Sequence, residues 1–133
     1  MLVRDCMTKD VMTLEPNDGL VTAEDVMRLG RIRHMPVVEE GELVGIVSQR
    51  DLFHSALMKA LGFGTHATQK IRETLLVKEA MTSTVTTTTP DTPLAEAARL
   101  MLERKIGCLP VLEGKKLVGI LTEADFVKLA TKV

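Results

Sequence analysis

Leu43-Val-Gly-Ile-Val-Ser-Gln-Arg-Asp51 returns, at a shift of 74, as Leu117-Val-Gly-Ile-Leu-Thr-Glu-Ala-Asp125. Each copy reads as a short buried strand around a Gly that runs straight into a helix. The junction carries a hydroxyl residue and, three positions later, an Asp. A hydroxyl at a helix start caps free backbone N–H groups, and those N–H groups with the helix dipole also attract anions. The same S/T-x-x-D spacing is that of a capping box, which needs no ligand. Glu or Gln is the usual third residue of such a box, because the side chain must reach back to the cap N–H. The shorter Asp at both corners tilts the reading toward a binding site.

Outward from these corners the repeat continues. Residues 2–56 lie over 76–130 without a gap, with roughly a third of the paired positions identical. Met7-Thr8 answers Met81-Thr82, Pro36-Val37 answers Pro110-Val111, and Leu20, Ala23 and Met27 answer Leu94, Ala97 and Met101. A gapless match of this length marks a tandem duplication. Read once and applied twice, the unit is β–α–β–β–α. Val11–Leu14 and Val85–Thr88 are short β-rich stretches that stop at a Pro. Asn17-Asp18 offers an N-cap to a helix over 20–30; in the second copy Asp91 or Thr92 can cap, with Pro93 at the first helical position of a helix over 93–104. Met35–Val38 and Leu109–Leu112 are strands, followed by charged, Gly-bearing hairpin turns. Leu52, Phe53, Ala56, Leu57, Ala60 and Leu61 form the apolar stripe of the closing helix in the first copy; Phe126, Val127, Leu129 and Ala130 form it in the second. Between the copies Gly62–Thr68 breaks the chain, and a helix from Gln69 to about Met81 leads on through Ile71, Leu75 and Leu76. One unit is too small to bury its own sheet, so two are needed. The expected organisation is repeat 1 over 1–61, a linker and helix over 62–75, and repeat 2 over 76–133.

Composition narrows the function classes. The chain has 133 residues, 45% apolar and 26% charged, with a formal charge of -1 at pH 7. That balance fits a globular protein, and no strong field steers it toward nucleic acid or anionic lipid. Arg28, Arg31 and Arg33 cluster, but beside Glu24 and Asp25 they read as a solvated helix face. No apolar run approaches the ~20 residues of a membrane span, and Met1-Leu-Val-Arg-Asp-Cys-Met lacks the pattern of a signal peptide, so the expected address is cytoplasmic. Cys6 and Cys108 form no CxxC and read as small core residues. His34, His54 and His66 share no metal spacing; His34 lies either at a ligand cleft or at a strand edge. No nucleophile–base–orienter set appears, and Gly62-Phe-Gly64 lacks the fingerprint of a phosphate loop, so an enzyme is not expected. With Phe53, Phe63 and Phe126 as the sole aromatics, a flat ligand must be held by aliphatic side chains and backbone.

These residues resemble the tandem cystathionine-β-synthase (CBS) domain pair, or Bateman module. The resemblance is carried by Met7-Thr8 and Met81-Thr82, by His34-Met-Pro-Val37 and Cys108-Leu-Pro-Val111, and by the two corners, in order and at equal spacing. It implies an α/β fold of two β–α–β–β–α repeats packed with pseudo-twofold symmetry, binding adenine nucleotides or adenosyl compounds in clefts between the units. It implies Asp51 and Asp125 as ribose acceptors, and Ser48 and Thr122 as phosphate-side hydroxyls. Met35, Pro36 and Ile46 would line one adenine slot and Leu109, Pro110 and Ile120 the other, with Met12 and Thr86 at the first-strand edges. The chemistry suits these roles, since a carboxylate accepts two bonds from a vicinal diol. Arg50 can pair with a phosphate, whereas its counterpart Ala124 stands beside Glu123, so the second site either prefers an uncharged adenosyl group or is empty.

The expectation is a stand-alone regulatory sensor of AMP, ADP, ATP or S-adenosylmethionine. It requires no cofactor or metal and acts by conformational change or through an effector protein. A homodimer is expected, because family members commonly pair. The alternative is a ligand-free dimerisation or scaffold module, for which Leu94, Ala95, Ala97, Ala98, Leu100, Met101 and Leu102 supply an apolar face wider than one sheet requires.

Overall fold

Two β-hairpins, each flanked by helices, carry the architecture. The computed structural model describes residues 1–60 and 74–132. In chain order the elements are α1 (Val3–Cys6), α2 (Leu20–Gly30), β1 (His34–Glu39), β2 (Glu42–Ser48), α3 (Gln49–Ala60), α4 (Val77–Ala80), α5 (Leu94–Arg104), β3 (Cys108–Glu113), β4 (Lys116–Thr122) and α6 (Glu123–Ala130). The α/β class and the doubled order are those expected. The Gly62–Thr68 break, Leu61, Ile71 and the start of the helix from Gln69 lie outside the described residues, as do the side chains of Ala56 and Ala60.

The chain forms two compact units. One is Met12–Val85, here the Asp51 unit; the other joins Met1–Val11 to Thr86–Val133 and is the Asp125 unit. Each therefore takes its opening turn from the other sequence repeat. Val77 is fully buried with Leu14, Leu20, Met27, Met35, Val37, Val47 and Leu52, while Val3 is fully buried with Leu94, Met101, Leu109, Val111 and Leu121.

Within each unit the hairpin is the spine. β1 and β2 pair antiparallel, as do β3 and β4, with matching irregularities after Val37 and after Val111. The first turn places Glu40 and Gly41 at φ 53 and 80; two positive φ values suit the right-handed twist of the flanking strands. The expected first strands reduce to single parallel bridges, Leu14 to Val37 and Thr88 to Val111. On the opposite edge Ile46 N–H donates to the Thr82 carbonyl at 3.0 Å and Thr82 N–H returns to Ile46 at 2.9 Å; Ile120 and Thr8 do the same at 2.9 Å each way.

Three local expectations are corrected. Asn17-Asp18 does not cap α2: Gly19 holds that position, and the Asp18 carboxylate accepts from Glu15 N–H at 2.7 Å, closing the preceding turn. Pro93 is the N-cap residue of α5 rather than its first helical residue, and Leu94 N–H donates to the Met1 carbonyl. Asp91 instead pairs with Arg4. The helix expected to run to Met81 is broken at Leu75–Leu76, where Leu20 N–H takes the Leu75 carbonyl and Val77 N–H is drawn to Asp18. Glu79 then accepts from Leu76 N–H and starts the separate turn α4.

Candidate functional site

Both strand–turn–helix corners form, and each closes on its own Asp. In the Asp51 unit, Ser48 N–H donates to Asp51 Oδ2 at 3.0 Å and Asp51 N–H donates to Ser48 Oγ at 3.0 Å. This is the reciprocal capping box, made with the shorter acid. Gln49 N–H, first in α3, donates to the Arg33 carbonyl at 2.8 Å. The Asp51 carboxylate is half-buried, and its Oδ1 accepts no bond among the described residues. Arg50 is exposed beside it.

The Asp125 corner uses the same positions differently. Thr122 N–H donates to Asp125 Oδ2 at 2.8 Å, and the Thr122 hydroxyl reaches the same oxygen at 3.3 Å. The other oxygen, Oδ1, accepts from the Thr8 hydroxyl at 2.9 Å. Asp125 is only 5% exposed, the sole charged side chain among the buried residues described. A buried carboxylate is tolerable there because three donors satisfy it. Where Arg33 and Arg50 stand in the Asp51 unit, this corner carries Gly107 and Ala124, with Glu123 exposed at the helix start.

The apolar residues assigned to the two slots divide between faces. Pro36 and Ile46 are register partners across β1–β2, as are Pro110 and Ile120 across β3–β4. Both prolines are buried, Ile120 is buried and Ile46 is half-buried. Met35 and Leu109 turn instead into the core clusters, at 1% and 0% exposure. Met12 is 51% exposed, with its sulfur alongside Gly30, and Thr86 is half-buried. His34 stands directly across from Ser48 in the strand register, which puts it at the corner; Cys108 holds the same place across from Thr122. Burial pushes the Cys108 thiol up to about 12. Among the described residues, no three His, Cys, Asp or Glu side chains gather as metal ligands.

Thr8 is the site residue that sequence reasoning left without a role. Its signal was present in the doubled Met-Thr pair, whose backbone lies along Ile120 in one unit and Ile46 in the other. Gly119 and Gly45 permit that approach. A Cβ at either would meet the Met7 or Met81 sulfur at 2.7 Å and the Thr8 or Thr82 carbonyl oxygen at 3.0 Å.

Away from the corners, a groove of about 550 Å3 is lined by Ala98, Met101, Leu102, Lys105 and Ile106 of the α5 region and by Glu123 and Phe126 of α6. Of the wide apolar face expected on α5, Leu94, Ala97 and Met101 are buried, Ala98 and Leu100 are half-buried, and Ala95 and Leu102 are exposed.

The family model for the CBS domain matches the chain twice, at residues 3–57 and 77–132. Protein MJ1225 of Methanocaldococcus jannaschii is 34% identical over 130 residues, which is 96% of this chain and 46% of that protein. The chain thus spans less than half the length of this relative, and 31% of MJ1404 from the same organism. Among solved structures, a Vibrio cholerae protein assigned by name to acetoin utilization (AcuB) is 37% identical, with a TM-score of 0.86 over 99% of this chain and 91% of that one. The CBS domain pair of protein MJ0100, crystallised with 5′-methylthioadenosine and S-adenosyl-L-methionine, is 29% identical, with a TM-score of 0.80 over 99% and 97% of the two chains. CBSX2 in complex with AMP is also 29% identical, with a TM-score of 0.81 over 98% and 96%.

Proposed function

The chain belongs to the CBS domain family, as a tandem pair, and on that premise we propose that it is a non-catalytic sensor of an adenosine-containing small molecule. Binding at the strand–turn–helix corners changes its conformation or its association with an effector protein in the cytoplasm. One observation carries the reading: Asp51 is pinned by Ser48 N–H through one oxygen while the other is unpartnered among the described residues. A carboxylate held that way presents an acceptor to a ribose diol without first reorganising. Arg50 is exposed at the start of α3, where its charge and the helix dipole favour a phosphate. Ile46, half-buried, offers an aliphatic contact to the base, with Pro36 buried across the strand from it and Met12 exposed. The likeness to structures holding AMP, 5′-methylthioadenosine and S-adenosyl-L-methionine supports the ligand class.

The test is a thermal-shift panel of AMP, ADP, ATP and S-adenosylmethionine against wild type and Asp51→Ala. Ligand at about 100 times its Kd stabilises by roughly 2.7 kcal/mol, a shift of several degrees for a protein of this size. A shift with one ligand that Asp51→Ala diminishes supports the sensor; no shift with any ligand in folded protein refutes it.

A second reading, self-association, is favoured by the groove beside α5. Leu102 is 78% exposed at its edge, an apolar surface that association would cover. Sedimentation as a monomer at micromolar concentration would count against it.

A further inference from the structure

We propose that Thr8 is a latch on the Asp125 corner: its hydroxyl occupies the oxygen that a ligand's ribose would use, so the two corners differ in affinity by design of the first segment. The inference rests on the sensor reading above and specifies how one of its sites is regulated.

Thr8 and Thr82 sit at matching positions, each exchanging two backbone hydrogen bonds with the Ile of the adjoining strand, at 2.9 Å for Thr8 and at 2.9 and 3.0 Å for Thr82. Their main chains are therefore held alike. Their side chains are not: the Thr8 hydroxyl donates to Asp125 Oδ1 at 2.9 Å, whereas no bond joins Thr82 to Asp51 among the described residues. Asp125 then keeps one open acceptor position of about four, too few for both hydroxyls of a diol, with Oδ2 taken by Thr122 N–H and the Thr122 hydroxyl and one position of Oδ1 held by Thr8. A diol arriving there must displace a hydroxyl that already donates to an ionised acceptor, and such charge-assisted bonds are the stronger kind. At Asp51 the equivalent oxygen has no partner among the described residues. Burial adds to the contrast, because Asp125 is 5% exposed while Asp51 is half-buried. Ligand thus fills the Asp51 corner first, and occupancy of the Asp125 corner requires the Thr8 side chain to rotate about χ1, which leaves its strand bonds intact.

The experiment is isothermal titration with AMP and, separately, S-adenosylmethionine. The proteins are wild type, Asp51→Ala, Asp51→Ala/Thr8→Val and Asp51→Ala/Thr8→Ser, each checked for folding by circular dichroism. Valine keeps the shape of threonine and removes the donor; serine keeps the donor. With the Asp51 corner disabled, Thr8→Val is expected to tighten the remaining site by about tenfold, the worth of roughly one hydrogen bond, and Thr8→Ser to leave it unchanged. Equal or weaker binding in the valine variant overturns the latch, and weaker binding makes the Thr8 hydroxyl a ligand contact instead. The wild-type titration reports the sensor reading separately: binding there without tightening in Thr8→Val sinks only the latch. No binding of AMP, ADP, ATP or S-adenosylmethionine by wild type sinks both.

Discussion

Replacing Gly119 with alanine sets a methyl group against a strand that cannot retreat without breaking its own bonds. The new Cβ would lie 2.7 Å from the Met7 sulfur, 3.0 Å from the Thr8 carbonyl oxygen and 3.2 Å from Met7 Cγ. The methionine can swing aside at some loss of packing. The carbonyl is backbone, fixed by Ile120 N–H at 2.9 Å, and the return bond from Thr8 N–H to Ile120 is also 2.9 Å. Overpacking of this kind costs about 1–3 kcal/mol, and loosening two backbone bonds that are each worth about 1 kcal/mol adds a fraction of that sum. Against it, removing a glycine from a strand returns about 0.5–1 kcal/mol of unfolded-state entropy. The clash wins, for a net loss of about 1–2 kcal/mol and a fall in Tm of roughly 4–8 °C. Urea unfolding of Gly119→Ala and of its counterpart Gly45→Ala measures it. A double-mutant cycle of Gly45→Ala with Met81→Ala then separates sulfur from carbonyl: truncating the methionine should recover only part of the loss, since the 3.0 Å contact with the Thr82 oxygen remains. Either alanine variant matching or exceeding wild-type stability would refute the reasoning.

Other outcomes follow from the same geometry. Asp125→Ala strips the partners from Thr122 N–H and two hydroxyls in a buried setting and should cost about 2–4 kcal/mol, whereas Asp51→Ala, losing one backbone donor at a half-buried corner, should cost about 0.5–1.5 kcal/mol; denaturation curves that rank them the other way would contradict the bonding described. Lys105 caps α5 at φ 54, and Lys105→Gly should stabilise by about 0.5 kcal/mol, the relief of left-handed strain less the added unfolded-state entropy. Cys108 keeps its proton in the folded state up to about pH 12, so disulfide reagents at pH 8 should leave it unlabelled until the protein is unfolded. The unfolded chain gives up that proton near pH 9.0. Stability should therefore fall as pH rises from 9 toward 12, and less steeply in Cys108→Ala.

Much of this architecture is legible in the residues because the message is written twice. The hairpins, the corners and helices α2 and α5 fall where apolar spacing, Gly and Pro set them, since each is decided by neighbours a few positions away. Apart from Asp18, what escaped reading depends on distant partners. Asp18 looks like a helix cap, but its carboxylate serves a turn three residues earlier. Leu75 and Leu76 continue a helical pattern, yet Leu20 and Asp18 claim the backbone around them. The role of Thr8 depends on a residue 117 positions away, and nothing in a Met-Thr pair announces whether its hydroxyl faces a carboxylate or water. The identity of Asp51 and Asp125 in sequence likewise concealed that one is open and the other closed.

The exchange of opening turns decides how the chain can be dissected. Met12–Val85 is a continuous stretch that holds every segment of its unit, including α4, while the other unit is interrupted by that stretch and resumes at Thr86. Cutting at the repeat boundary would orphan Val3 from the core it fills and deprive the Asp51 hairpin of Val77. A fragment of residues 12–85, or a permuted chain that begins at Thr86 and is sewn through its old C-terminus to Met1–Val11, keeps each core whole. In sequence, the segment of one unit is inserted within that of the other, and fusions or excisions keep each core whole only when they follow that insertion.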